Sequence, residues 1–265
     1  MLITSASNDR VKEIKKLIKS AAERKKKQLY VVEGIRMFRE IPVQNMDSIF
    51  IAQSSVERYA EELRQYPGKE PVIVADAVFR SMSDTGTPQG IMALVRMEQC
   101  TLGALCTVEN PFLLIIERLQ DPGNMGTIIR TAEGAGATGI VVSSDSVDLY
   151  NPKVVRSTMG SIFRVPVYVS EQLSDDMDFL RQNGVTVFGA HLDGDNLYDT
   201  EFVGACGFLI GNEGNGLSDE IAGTADKLIK IPMMGQVESL NAAVSTTVIA
   251  YEVLRQRKFK KKCHK

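Results

Sequence analysis

The sequence is poor in the residues that build metal and redox chemistry. Among its 265 residues are four cysteines, Cys100, Cys106, Cys206 and Cys263, and two histidines, His191 and His264. The cysteines form no C-x-x-C pair, and some lie in or near apolar segments, so buried or incidental thiols are expected rather than disulfides or zinc ligands. So few histidines weaken any metal site or Ser-His-Asp arrangement further. Uninterrupted apolar runs stay well short of the roughly eighteen residues a membrane span needs, and the N-terminus is polar and soon basic. These absences argue against a membrane protein or a secretory signal and for a cytoplasmic protein without a metal.

Net charge is also small, −2, which by itself argues against a nucleic-acid partner. The distribution argues the other way. Arg10, Lys12, Lys15, Lys16, Lys19, Arg24, Lys25, Lys26 and Lys27 crowd the first segment, opposite an apolar stripe of Val11, Ile14, Leu17 and Ile18. An ordered helix that presents positive charge suits phosphate contacts, which supply affinity without sequence information. Arg24, Lys25 and Lys26 are the candidate phosphate contacts. A second basic run, Arg255 to Lys265, is either a solvated tail or a further contact.

Glycine is used in one suggestive place. Gly134-Ala135-Gly136-Ala137-Thr138-Gly139 is a literal G-x-G-x-x-G. A dinucleotide-binding fingerprint, however, needs its glycines between a strand and the following helix, so that pyrophosphate meets the helix N-terminus. Here the order is reversed. Asn124 to Glu133 reads as a helix with Met125, Ile128, Ile129 and Ala132 on one face, Gly134 and Gly136 end it, and Gly139–Val142 starts the next strand. The polar loop Leu119–Asn124, at the carboxyl end of a strand, is the better place for chemistry.

The chain divides near residues 96–110. Before that point come a basic helix over about 8–25, a strand at Leu29–Val32, a helix over 35–41, and a strand at Ser48–Ala52. A helix through Val56–Gln65, a strand at Val72–Val74, a helix near Ala75–Arg80 and a strand at Ile91–Val95 follow, which implies a small three-layer α/β domain. After it, near-continuous apolar strands recur at Phe112–Ile116, Ile140–Val142, Val165–Tyr168, Thr186–Ala190, Gly207–Ile210 and Leu228–Ile231. Helical patterns separate most of them, and a helix from about Leu240 to Arg255 closes the chain. This is the pattern of a mainly parallel sheet covered on both faces.

Polar, glycine-containing patches follow three of these strands: "ERLQDPGNMGTIIRTA" after Phe112–Ile116, "GNEGNGLSDE" after Gly207–Ile210, and "PMMGQVESLNAAVSTTVIAYE" after Leu228–Ile231. Together and in this order they resemble the signature motifs of the SpoU (TrmH-type) RNA 2′-O-ribose methyltransferases, a family of the SPOUT superfamily. The segment "YVVEGIRMFREI" and its basic helix resemble that family's L30e-like RNA-binding domain. The resemblance implies an L30e-like domain at 1–98, a linker at 99–110 and a SPOUT methyltransferase domain at 111–265. It also implies a deep trefoil knot, an S-adenosylmethionine pocket and a homodimer that completes the active site. The substrate implied is RNA, ribosomal rather than transfer RNA, and a guanosine of 23S ribosomal RNA in particular. A transfer-RNA methyltransferase, or a non-catalytic RNA-binding protein of ribosome assembly, stands as the alternative.

By the same resemblance Arg130 is the catalytic arginine. Being always protonated, it would orient the 2′-hydroxyl and stabilise developing alkoxide. Asn124, which also suits a helix N-cap, supports the arginine and substrate. Glu213 would pair with Arg130 through a bidentate fork. Ser239, a natural cap for the last helix, and Asn241 would hydrogen-bond in the pocket. Gly211, Ile231 and Leu240 map onto the cofactor positions, Gly211 because a residue without Cβ lets the chain approach closely.

Overall fold

The computed structural model describes residues 2–237 and 239–259. Lys260 to Lys265, with Cys263, His264 and the end of the basic tail, lie outside the described residues, as do Met1 and Glu238. The chain forms two compact units. One takes in the chain up to Glu98 together with Asp148–Phe163; the other holds Gln99–Val147 and everything from Arg164 onward. A linear division at 98 and 110 therefore misplaces two segments. The expected linker carries a short helix, Leu102–Leu105, whose two leucines are buried in the second unit. Asp148–Phe163, placed by sequence in the C-terminal domain, packs with the first.

The first unit is built on a mixed sheet of β1 (Leu2–Ile3), β2 (Leu29–Glu33), β3 (Met46–Ala52), β4 (Val72–Val74) and β5 (Ile91–Arg96), in the order β1-β4-β3-β5-β2. Alternation along β2 sends Val31 to one face and Tyr30 and Val32 to the other. The first face is covered by the stripe Val11, Ile14 and Leu17, the second by Met37, Phe38 and Tyr66. Tyr150, Val155, Ile162 and Phe163 of the inserted segment complete the second cluster, with the Tyr150 ring 4.5 Å from that of Tyr30.

The basic helix is two helices, Asp9–Lys19 and Ala21–Lys27. Ser20 breaks it because its backbone is extended (φ −123°, ψ 116°) and its hydroxyl accepts from Glu23 N at 3.2 Å, capping the second helix. Arg24 departs from its expected role. It is 3% exposed, and its guanidinium donates to Asp148 Oδ2 through Nε at 2.8 Å and through Nη2. Its Nη1 donates to the carbonyls of Leu17 and Ile18. A buried cation must be matched in this way, and a matched one is not free for phosphate. Of the three candidate RNA contacts, Lys25 and Lys26 keep exposed positions and Arg24 does not.

The second unit carries β6 (Phe112–Ile116), β7 (Gly139–Ser143), β8 (Val167–Ser170), β9 (Thr186–Asn196), β10 (Cys206–Ile210) and β11 (Lys227–Lys230). Their order is β11-β9-β10-β6-β7-β8, and every pairing is parallel. β6, β7 and β10 are buried along their whole length, as apolar strands covered on both faces should be. From β6 the chain steps outward to β7 and β8, whereas β10 lies on the other side of β6. The carboxyl ends of β6 and β10 are therefore the switch point at which open α/β sheets form ligand crevices.

All the glycines of G-x-G-x-x-G have structural reasons. Gly136 (φ 74°) ends the helix Pro122–Ala135, with Gly136 N bonded to Glu133 O at 3.1 Å and Ala137 N to Ala132 O at 2.8 Å, a Schellman pair. A Cβ on Gly134 would stand 3.1 Å from the Tyr251 hydroxyl, and one on Gly139 2.5 Å from the Leu105 side chain. The closing helix, Ala242–Leu254, packs against Pro122–Ala135, where Thr131 and Thr247 join hydroxyls at 2.9 Å. It continues as a π-helical turn, Arg255–Phe259. Arg257 there donates to the carbonyls of Asn110, Phe202 and Gly204, so the described part of the second basic run is tied into the fold.

The matched burial of Arg24 makes a measurable demand. Asp148→Ala should lower the stability of the first unit by about 2–4 kcal/mol, because it strands a buried guanidinium. Adding Arg24→Met should recover part of the loss. Urea unfolding followed by tyrosine fluorescence checks both, and an undiminished single variant would contradict the assignment.

Candidate active site

Two loops leave the adjacent carboxyl ends of β6 and β10, and one carboxylate joins them. Glu213 accepts hydrogen bonds from Asn124 Nδ2 at 3.0 Å, Asp121 N at 3.1 Å and Gln120 N at 3.4 Å. Partial shielding from water would raise its pKa. The Asn124 amide and the backbone N–H groups of Glu213, Asp121 and Gln120 outweigh that effect and hold it below the usual carboxylate range. Asn124 passes the connection on by accepting from Asn241 Nδ2 at 3.1 Å. Asn241 Oδ1 in turn caps the closing helix, accepting from Ala243 N at 2.9 Å and Val244 N at 3.3 Å.

Asn124, Glu213 and Asn241 are thus brought together, but the caps differ from expectation. Asp121, not Asn124, is the N-cap of Pro122–Ala135; its carboxylate accepts from Asn124 N at 2.7 Å and Pro122 occupies the first turn, where a missing N–H costs nothing. This leaves the Asn124 side chain free to reach Glu213. Likewise Asn241, not Ser239, caps the closing helix, which begins at Ala242. Ser239 is exposed and borders the cavity described below.

The expected Arg130–Glu213 fork does not form within the chain. Arg130 is exposed and makes no hydrogen bond or ion pair among the described residues. It lies six residues beyond Asn124 on the same helix, a rise of about 9 Å and a different face. Its exposed neighbours on that helix are Thr127 and Gly134, and Tyr251 of the closing helix comes close to Gly134.

A cavity of about 360 Å³ opens beside the Glu213 loop. Gly211, Ile231, Ser239 and Leu240 line it, together with Asn212 and Ser245. Its far wall comes from His191, Leu192 and Leu197, which the sequence reading missed. His191 and Leu192 lie within β9 beyond Ala190, where the apolar pattern ends, and the strand continues through "HLDGDN" to Asn196, with Leu197 directly after it. Gly194 permits this, since a Cβ there would stand 2.4 Å from Ile229 N of β11.

The loop after β10 doubles back on itself. Asn212 N donates to Gly216 O at 2.9 Å and Gly216 N to Asn212 O at 3.0 Å, with Gly216 at φ 69°. A Cβ on Gly211 would stand 2.1 Å from the carbonyl carbon of Gly216. Glu117, 3% exposed, fastens the far end of the loop by accepting from Ser218 N at 2.9 Å and Ser218 Oγ at 2.6 Å. Among the described residues no cluster of His, Cys, Asp and Glu gathers that could hold a metal.

Gly211→Ala must therefore push the loop away. The expected outcome is a loss of about 1–3 kcal/mol in stability together with at least a tenfold weaker affinity for S-adenosylmethionine, measured by thermal unfolding and calorimetric titration. An unchanged affinity would remove this loop from cofactor binding.

Comparison with known proteins places the chain in a family. The SpoU rRNA Methylase family model matches residues 111–251, and the MRM3-like substrate binding domain model matches residues 8–93. The chain is 32% identical over 252 residues, 95% of its length and 98% of the relative's, to the 23S rRNA (guanosine(2553)-2′-O)-methyltransferase RlmP of Bacillus subtilis. It is 32% identical over 216 residues, 79% of its length and 75% of the relative's, to the 23S rRNA (uridine(2479)-2′-O)-methyltransferase of Streptomyces viridochromogenes. The crystal structure of the SpoU methyltransferase AviRb from Streptomyces viridochromogenes, in complex with the cofactor AdoMet, superposes with a TM-score of 0.86 at 28% identity, covering 94% of this chain and 98% of that one. With both of its parts matched, the chain belongs to the SpoU rRNA methylase family and is an S-adenosylmethionine-dependent RNA methyltransferase.

Proposed function

We propose that the protein methylates a ribose 2′-hydroxyl of 23S ribosomal RNA, at a guanosine, in the cytoplasm, and that it works as a homodimer. The observation that carries the reading is the Asn241–Asn124–Glu213 chain of hydrogen bonds beside a cavity bounded by Gly211, Ile231 and Leu240. Near full-length similarity to the guanosine enzyme of Bacillus subtilis supports the base, although the Streptomyces viridochromogenes relative is named for a uridine.

The cavity suits S-adenosylmethionine. Glycine backbone at Gly211 allows close approach, and the main chain around Ile231 and Leu240 can meet the adenine edge, as expected of a pocket that recognises its ligand through few polar groups. Bound there, the sulfonium supplies the methyl group. The protein's own task is positioning and electrostatics. Asn124 and Asn241 offer amide groups to the acceptor ribose. Glu213, already holding three donors, keeps the two loops in register and is not the base. Arg130 is the cation that orients the hydroxyl and stabilises developing negative charge.

Because Arg130 is exposed and bonds to no group of its own chain among the described residues, we assign it to the site of the partner protomer. Its surroundings suit an interface: Val244 and Tyr251, each 48% exposed on the closing helix, with Val248 and Leu254 half-buried beside them. A two-fold contact through this face would carry each arginine across to the other site. The knot implied by the motifs is part of the same proposal, supported by the matching family and the parallel strand order.

Arg130→Ala should lower single-turnover methyl transfer about a hundredfold while S-adenosylmethionine affinity is kept, and Arg130→Lys should recover little of the rate. Refolding a mixture of Arg130→Ala and Glu213→Ala chains should restore about a quarter of wild-type activity, since half the dimers then contain one intact site. No restoration would place Arg130 in its own chain's site. Light scattering at micromolar concentration tests the dimer directly.

The RNA path over the first unit is tested at Lys25 and Lys26. Reversing both charges should weaken binding to 23S ribosomal RNA and flatten its salt dependence, leaving cofactor affinity unchanged. Unchanged RNA affinity would leave these lysines a solvated surface.

A further inference from the structure

We propose that Arg118 is a substrate-contacting residue that grips an RNA phosphate next to the acceptor nucleotide. The proposal rests on the RNA methyltransferase reading of the same site. Arg118 is the first exposed residue beyond β6, one of four non-glycine residues with positive φ in the described chain, at φ 50°. An L-residue held in this left-handed conformation is strained by about 1–2 kcal/mol.

The surroundings fix that conformation from both sides. Arg118 N donates to Ser143 Oγ at 2.9 Å, and Arg118 O accepts from Asn212 Nδ2 at 2.7 Å and Gln120 Nε2 at 3.0 Å. Asn212 directly precedes Glu213, and Gln120 N bonds to Glu213, so Arg118 belongs to the loops that form the active site. A glycine would meet every one of these backbone bonds without the strain.

The side chain gives little stability in return. Its guanidinium bonds Asp145 Oδ2 through Nε at 2.9 Å, but both side chains are more than half exposed, 56% and 54%. Exposed pairs of this kind contribute about 0–1 kcal/mol. What the pair does provide is aim. Asp145 is itself held, its carbonyl accepting from Gln120 Nε2 at 3.0 Å. Anchored at Nε, the guanidinium keeps Nη1 and Nη2 without partners among the described residues. A fixed planar fork with open terminal donors matches two oxygens of a phosphodiester better than a flexible lysine would. Two further acids, Glu117 and Glu220, act on the guanidinium only through space; the Glu117 carboxylate is engaged by Ser218 N and Oγ.

Arg118→Gly isolates the guanidinium, because glycine suits the backbone better than arginine does. With transcribed 23S ribosomal RNA as probe, filter binding over a series of salt concentrations should show affinity reduced about tenfold and the slope of log K against log salt smaller by about one, the signature of one lost phosphate contact. Thermal midpoint should be equal or higher, and S-adenosylmethionine affinity unchanged. Arg118→Lys should restore the slope but only part of the affinity. If Arg118→Gly binds RNA as tightly and with the same slope as wild type, the proposal is overturned. A parallel loss of cofactor affinity would overturn it too, by making Arg118 a brace for the Asn212 loop. Failure of the wild-type protein to bind or methylate this RNA would instead remove the functional reading itself.

Discussion

Everything at the site hangs on one carboxylate meeting more donors than it can find elsewhere nearby. Glu213 sits at the tip of the loop after β10, and its partners sit in the loop after β6 and the first turn of the following helix. Parallel neighbours in a sheet have their carboxyl ends side by side, so the two loops are adjacent by construction; the carboxylate turns adjacency into a fixed geometry. The backbone donors, Gln120 N and Asp121 N, lie just before the helix, whose N-terminal dipole end also favours an anion. Through Asn124 the same fixation reaches Asn241 and hence the start of the closing helix. A neutral or shorter side chain at 213 would release several elements together.

The cavity depends on the complementary constraint, the absence of side chains. Gly211 lies against Gly216, and Gly194 against Ile229, at separations that no Cβ permits. One closes the near wall, and the other lets β9 run on beside β11 to form the far wall. Glu117, buried beneath them, supplies the charge that a serine N–H and hydroxyl at the end of the loop require. Close main-chain approach at these two glycines thus shapes the pocket as much as the side chains that line it.

These properties decide what could be read in the sequence. Strands buried on both faces announce themselves as apolar runs, so the second sheet was legible nearly element by element, and the motifs located Asn124, Glu213 and Asn241. The caps were not legible, because Asp121 and Asn124, or Ser239 and Asn241, are chemically equivalent candidates a few residues apart, and only the observed backbone conformations of Asp121 and Asn241 distinguish them. Arg24 misled because a lysine-rich helix hides one buried cation among exposed ones, and its partner Asp148 lies 124 residues away. The same distance hid the insertion of Asp148–Phe163 into the first unit. The continuation of β9 over 191–196 was missed for another reason: its polar residues and glycine carry none of the apolar run that marks the buried part of the strand.

The separation of Arg130 from Glu213 carries the last step. Within one chain Glu213 is held by amides and backbone N–H groups and bonds to no arginine, an arrangement that by itself repels polyanionic RNA rather than attracting it. Cations must come from outside the carboxylate's own network, and two exposed arginines are proposed to bring them: Arg118, in the left-handed conformation just beyond β6, and Arg130, on the helix whose Gly134 meets Tyr251. If Arg130 were bonded to Glu213 in its own chain, the ion pair would be formed before RNA arrived and the cation would be partly spent. In the proposed dimer, Glu213 is held by neutral donors and the arginine is delivered by symmetry, which would keep its charge for the alkoxide that develops during transfer. On this view dimerisation is part of the chemistry, because only the assembled pair has both the rigid frame and the unspent cation.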